Sequence, residues 1–246
     1  MSRTSETESD SPTPVRSLSR VVGVFTSPTK TFQCLAKHAS WIAPLLLMVI
    51  LSASASALMG SKINWREYIR HRAEGNPRFS QLSDEQKDDA IAKQIRFGPG
   101  FSFAAGILRV PIAALIISVI YLAAFNLVCG AELRFATSFG ITTHAFLPLA
   151  LGNILTLIVL SLKAYGDVDP ENIVATSLKA FLSESAPKTV LAFGSSLELF
   201  WIWCLTLLTV GFSAANPKKV KPSASFGIVF GLWGLWVVAK VVWAAL

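Results

Sequence analysis

Five stretches of this sequence, at 41–60, 102–128, 140–162, 195–214 and 224–246, run for about twenty residues or more with almost no charge. A helix rises about 1.5 Å per residue, so about 20 apolar residues carry it across the ~30 Å hydrocarbon layer of a bilayer. Lipid offers no partner to backbone amides, and a spanning segment must therefore satisfy its own. Runs of this length select the all-α class: a polytopic membrane protein with five transmembrane helices. Composition agrees, because charged residues make up 15% of the chain and hydrophobic residues 52%, whereas a soluble domain carries about 25% charge. The second run exceeds what a bilayer needs, so its first turns project or tilt. Five crossings put the termini on opposite sides.

The segments between the spans are read from caps and periodicity. Residues 1–19 are rich in Ser, Thr, Pro and Glu and nearly free of large apolar side chains; such a tail cannot offset its ordering entropy and reads as disordered. The remainder, 20–246, reads as a single domain. Ser27 is a candidate N-cap and Pro28 fits the first helical position. Phe32, Leu35 and Ala36 then share one face against Lys30 and Lys37, which predicts an amphipathic helix over 28–38 lying at the interface. In the first loop, Ser83 and Gln86 form a capping-box pattern that starts a helix running to about Arg96. In the third, Asp169 as cap and Pro170 as first residue predict a surface helix over 170–182, with Val174, Leu178, Phe181 and Leu182 as its apolar stripe. No fixed-period repeat runs along the chain, and five spans do not divide into an inverted transporter repeat.

The net charge of +7 falls in loops flanking apolar runs, without the basic and aromatic interleaving of a strand-binding groove. Anionic headgroups rather than nucleic acid are the partner this implies. The bilayer is the partner read most directly. Nine Lys and Arg residues lie on the N-terminal side of the membrane and eleven on the other, a difference too small to set orientation, though it leans towards an outside N-terminus. Cys34, Cys129 and Cys204 are far apart, with no metal-ligand spacing, so reduced thiols are expected and no metal. There is no G-x-S-x-G, H-E-x-x-H, paired-Asp motif or P-loop. The expectation is a protein without enzymatic activity and without a cofactor.

Four ionisable groups fall in or near the spans, where charge is costly enough to be examined one by one. Glu198 completes the capping box Ser195-x-x-Glu198 at the entrance of span four, and it shares a leaflet with Arg109, so an intramembrane ion pair Arg109–Glu198 is the competing use. Arg109 can otherwise snorkel at the start of span two. On a helical wheel Trp233, Trp236, Lys240 and Trp243 form one stripe, with Ser223, Gly227, Gly231 and Gly234 opposite. Small residues permit close approach, so the expectation is that Gly227, Gly231 and Gly234 pack helices together and Lys240 faces lipid. His144 reads as a hydrogen-bonded structural residue. Pro148 withholds the amide that would bond the His144 carbonyl, which kinks span three. Asn126 and Asn153 read as interhelical bonding groups.

The order of these features resembles the Yip-one domain family, five-span membrane proteins named for interaction with Ypt/Rab GTPases. The resemblance is carried by "SPTKTFQCLAKHASWIAPLLL", "FLPLALGNIL", "SLELFWIWCLTLLTVGFSA" and "GLWGLWVVAKVVWAAL", and runs from about residue 20 to 246. It implies a helical bundle with a cytoplasmic N-terminus and no enzymatic activity. The D-L-Y-G-P-type motif of eukaryotic relatives is absent and the tail is short, so the chain looks like the prokaryotic branch. It is then expected in the cytoplasmic (inner) membrane, and a small GTPase partner does not carry over. Position 198 holds Glu where the family suggests Asp, which keeps the capping role. Together these readings point to a membrane-organising or adaptor role through self-association or other membrane proteins; the alternative is a small transporter, channel or lipid translocator using Arg109 and Glu198.

Overall fold

A computed structural model describes residues 14–74, 79, 81–168, 173–183 and 185–246. Ten α-helices are seen among them: α1 (Pro14–Thr26), α2 (Pro28–Lys37), α3 (Ile42–Lys62), α4 (Trp65–Glu74), α5 (Asp84–Cys129), α6 (Phe135–Ala145), α7 (Leu147–Leu162), α8 (Lys188–Gly194), α9 (Leu199–Ala215) and α10 (Pro222–Ala245). The described residues form no strand, and the class is an all-α polytopic membrane protein. Four helical stretches, α3, α5, α6 with α7, and α10, are long and apolar enough to cross a membrane, while α9 is a shorter apolar helix of 17 residues.

The longest element joins two segments that the sequence separates. Ser83 accepts a bond from the Gln86 amide at 3.3 Å and donates its own amide to the Gln86 side chain at 3.0 Å. From this cap α5 runs unbroken for 46 residues, with Pro99 and Pro111 inside it. At about 1.5 Å per residue that is about 69 Å, more than twice the hydrocarbon thickness. A stalk therefore leads into span two. Helix α4 packs along this stalk, where Gly98 leaves room for the Trp65 ring, 3.4 Å from the position of an added Cβ.

Helix α6 is central: residues 138–148 are all buried. An apolar crowd with polar members needs internal partners. The Ser138 hydroxyl donates to the Ser118 carbonyl of α5 at 2.7 Å, and those of Thr142 and Thr143 to Ser138 and Phe139 carbonyls at 2.9 Å each. The helix breaks at Phe146, and Pro148 lies in the first turn of α7. Around α6, the Phe125 and Phe212 rings stack at 4.4 Å and Tyr121 adds a third ring 5.6 Å from Phe212. The Tyr121 hydroxyl then donates to the Val229 carbonyl at 3.2 Å. These residues fasten α5, α9 and α10 together. On the other flank α3 and α5 approach closely where Gly106 faces Ser52 and Ser56.

The N-terminal segment departs from expectation twice. Helix α1 begins at Pro14, inside the stretch read as a disordered tail; residues 1–13 lie outside the described residues. It folds back on α2 at a turn in which the Ser27 amide bonds the Gly23 carbonyl at 2.8 Å. The apolar face predicted over 28–38 forms, but protein covers it. Phe32 and Leu35 are fully buried, and Phe32 fits against α9 because Gly211 has no side chain there, an added Cβ lying 3.1 Å from the ring.

The surface helix predicted over 170–182 is also corrected. Its capping residues Asp169 and Pro170 lie outside the described residues. The described part of this segment holds a single 3₁₀ turn, Leu178–Phe181. The reason is a competing backbone pairing: the Leu178 amide donates to Leu197 at 3.0 Å and the Leu199 amide to Thr176 at 2.9 Å, an isolated antiparallel bridge between Ser177 and Glu198. Extended backbone at Ser177 and Glu198 satisfies groups that a helix would have used.

Candidate functional site

The same bridge fixes the start of α9. Glu198 is held extended, and the helix therefore begins at Leu199 rather than Ser195. Its carboxylate is the N-cap itself, accepting the Phe200 amide at 3.1 Å and the Trp201 amide at 2.7 Å. The capping role is present with different geometry: Ser195 belongs to the turn after α8 and makes no capping box. Both oxygens face the amide end of a helix, where a negative charge is stabilised.

No ion pair joins Glu198 to Arg109 among the described residues. Arg109 is exposed on α5, while the two Glu198 oxygens face the α9 amides. The sequence placed the two groups in one leaflet, which fixes depth but not azimuth around the bundle. The transporter reading loses the pair on which it rested.

Ser195 and Ser196 instead hold Lys240. Each hydroxyl donates to the Ala192 carbonyl at 2.9 Å, and the Lys240 ammonium donates to Ser195 at 2.7 Å and to Ser196 at 3.3 Å. Serine can give one bond and take another, so an acceptor is left for the cation. The Trp236 ring adds a cation–π contact at 5.2 Å. Lys240 thus turns inward, against the expectation that it faces lipid.

Helix α10 is rotated accordingly. Its buried residues are Ser225, Val229 and Val237, the Ser225 hydroxyl donating to the Thr209 carbonyl at 2.7 Å. Trp233 joins this inner face, while Trp236 and Trp243 are exposed. A Cβ added at Gly227, Gly231 or Gly234 would meet nothing within 4 Å. Within one chain the glycine stripe packs no helix; three polar bonds outweigh the closeness that glycine would have allowed. His144, 1% exposed, lies in the buried stretch of α6 with Nδ1 2.8 Å from the Gly140 carbonyl, a structural use.

A second constellation sits at the opposite end of α9. The loop 130–134 between α5 and α6 is held by Asn126, whose side chain donates to the Leu133 carbonyl at 3.1 Å and accepts its amide at 2.8 Å. Asn216 donates to the Ala131 carbonyl at 3.0 Å, and Lys219 pairs with Glu132 at 2.6 Å. That pairing, hydrogen bond first and charge second, holds the Glu132 carboxyl below its ordinary range. Glu132 has φ +52°, a left-handed conformation unusual for a side-chain-bearing residue. Sequence reading gave Asn126 a bonding role but missed Glu132, Asn216 and Lys219, because partners 85 and 87 residues apart leave no local pattern. Gly130 as helix terminator and Asn216-Pro217 as a turn were the available signals.

The Yip1 domain matches residues 22–239 of the sequence. The chain belongs to the Yip1 domain family. The match takes in every helix from α2 to α9, the end of α1 and most of α10. No curated protein and no solved structure matches the chain. Membership and the apolar helices make this Yip1 domain protein an integral membrane protein in contact with the bilayer.

Proposed function

We propose that this Yip1 domain protein acts without catalysis, as a membrane-organising or adaptor protein that crosses the bilayer five times and self-associates through α10. Residues 20–246 act as one domain, in the cytoplasmic membrane of a prokaryote, with the N-terminus cytoplasmic. The observation that carries the reading is the outward face of α10, where Gly227, Gly231 and Gly234 leave open space for an added Cβ. In lipid, helix association draws on close backbone approach instead of apolar burial, and small residues at helical spacing supply it. With the opposite face already closed on Thr209 and Tyr121, the glycine face is free for a second copy or another membrane protein.

The test is cross-linking of cysteines introduced along α10, after purification in mild detergent. Wild type should give a dimer or higher species, and Gly231→Leu should lose it and elute as a folded monomer. A strictly monomeric wild type, or cross-linking indifferent to Gly231→Leu, would overturn the reading. A reporter fused after Leu246 should be extracytoplasmic; cytoplasmic reporter activity would refute the orientation.

A further inference from the structure

Where α2, α5 and α9 end and α6 begins, the chain encloses a cleft of about 350 Å³, within the ~300–1,000 Å³ range of small-molecule sites. We infer that this cleft binds the phosphate of an anionic phospholipid headgroup, independently of self-association through α10.

Three observations converge on that ligand. The first is charge. Lys37 and Arg134 line the cleft with one carboxylate, Glu132, and that carboxylate is already neutralised by Lys219 at 2.6 Å. No carboxylate pairs with Lys37 or Arg134 among the described residues. The carboxyl ends of α2, α5 and α9 and the amino end of α6 also open here, each worth about half a charge, so the balance remains about +1. Arg134 is the N-cap of α6 and gives no side-chain cap bond; its carbonyl takes the Thr137 amide, which leaves the Phe135 and Ala136 amides for an anion.

The second is depth. The cleft lies at the level where α5 stops at Cys129, α9 stops at Ala215 and α6 starts at Phe135. Ends of apolar helices mark the boundary between hydrocarbon and water, the level of lipid phosphates. Lys218 and Lys221 of the adjoining loop extend the positive surface. Depth favours a lipid over a free anion.

The third is preorganisation. Ala36, Ala39, Ala131, Ala136 and Ala215 form walls that obstruct little, while Asn126 and Asn216 hold the loop from both sides. Glu132 keeps its left-handed backbone, a conformation that persists only where surroundings over-determine it and that gathers at ligand sites.

The test uses full-length protein in nanodiscs of phosphatidylcholine with or without phosphatidylglycerol, with native mass spectrometry to count retained lipid and thermal unfolding as a second readout. Wild type should retain phosphatidylglycerol in preference to phosphatidylcholine and melt higher in its presence. Lys37→Gln/Arg134→Gln should lose phosphatidylglycerol affinity about 30-fold, from about two headgroup-facing charges. Its melting temperature in phosphatidylcholine alone should match wild type, and Lys37→Arg/Arg134→Lys should restore retention. Lys188→Gln, at the other end of the molecule, should change nothing. Equal retention of the two lipids by wild type, an unaltered double glutamine variant, or full displacement of lipid by millimolar inorganic phosphate would each overturn the assignment.

Discussion

The rotation of α10 is tested most sharply by one substitution made at two glycines. Gly106 sits where α5 crosses α3: a Cβ there would lie 2.7 Å from the Ser56 Cβ and 3.2 Å from the Ser52 carbonyl oxygen. The Ser56 hydroxyl can swing aside, but its Cβ and the Ser52 carbonyl move only with α3. At Gly231 an added Cβ meets nothing within 4 Å. Alanine gains about 1 kcal/mol of helix propensity at either site. That term cancels in the comparison, leaving the overpacking cost at Gly106, about 1–3 kcal/mol. For a chain of this size, each kcal/mol moves the melting temperature by about 2–4 °C. Thermal unfolding in dilute detergent should thus place Gly106→Ala below Gly231→Ala by about 2–12 °C, with Gly231→Ala at or above wild type. If Gly231→Ala is the less stable of the two, the glycine face is buried in the single chain and the orientation of α10 is wrong.

Three further outcomes are expected. Glu198→Ala should lose about 1 kcal/mol as a lost N-cap, Glu198→Asp should keep most of it, and Arg109→Ala should fall within about 0.5 kcal/mol of wild type; chemical denaturation in detergent measures all three, and equal losses at both positions would restore the ion pair. Lys240→Met and Ser195→Ala should be coupled by about 1 kcal/mol in a double-mutant cycle, whereas additive effects would put the ammonium in the headgroups. The Glu132–Lys219 link titrates in a defined direction: with the folded carboxyl below its ordinary value of 4.5, its contribution is present above that pH and is lost as pH falls through the lower folded value. Wild type should accordingly lose melting temperature relative to Glu132→Gln only below about pH 4.5, and parallel curves would show that the pair contributes nothing.

The legible part of the fold was what hydrocarbon dictates. Apolar length located five helical stretches, and local backbone chemistry located the Ser83 cap, because a capping box involves residues three apart. Azimuth was not legible. For α10 the wheel set the glycines apart, but the inner face of Ser225, Val229, Trp233 and Val237 cuts across the Trp/Lys stripe, and finding it required knowing that Ser195, Ser196 and Thr209 stand opposite with open acceptors, outside the helix itself. The same limit explains Glu198, whose capping was read from spacing while its register depended on Thr176 and Ser177, about twenty residues upstream. For α2, amphipathicity revealed that one face needed cover and could not say whether lipid or α9 supplies it.

The short helix α9 ties these elements to the proposed role. Its 17 residues make about 25 Å, less than the ~30 Å hydrocarbon layer, while α5 is far longer than that layer. Protein completes what the helix lacks: α2 packs Phe32 against Gly211 near one end, and at the other the bridge at Ser177 and the Ser195–Lys240 bond form the entrance. If α9 crosses as proposed, its apolar length falls short of the layer, while the polar stalk of α5 lies outside it. Under the proposed role, lipid beside α9 would thin or tilt to match, at fractions of a kcal/mol per Å of mismatch, and several copies gathered through α10 would align those thin sectors. On that proposal, uneven hydrophobic height multiplied by self-association is the physical route from this sequence to organising a membrane.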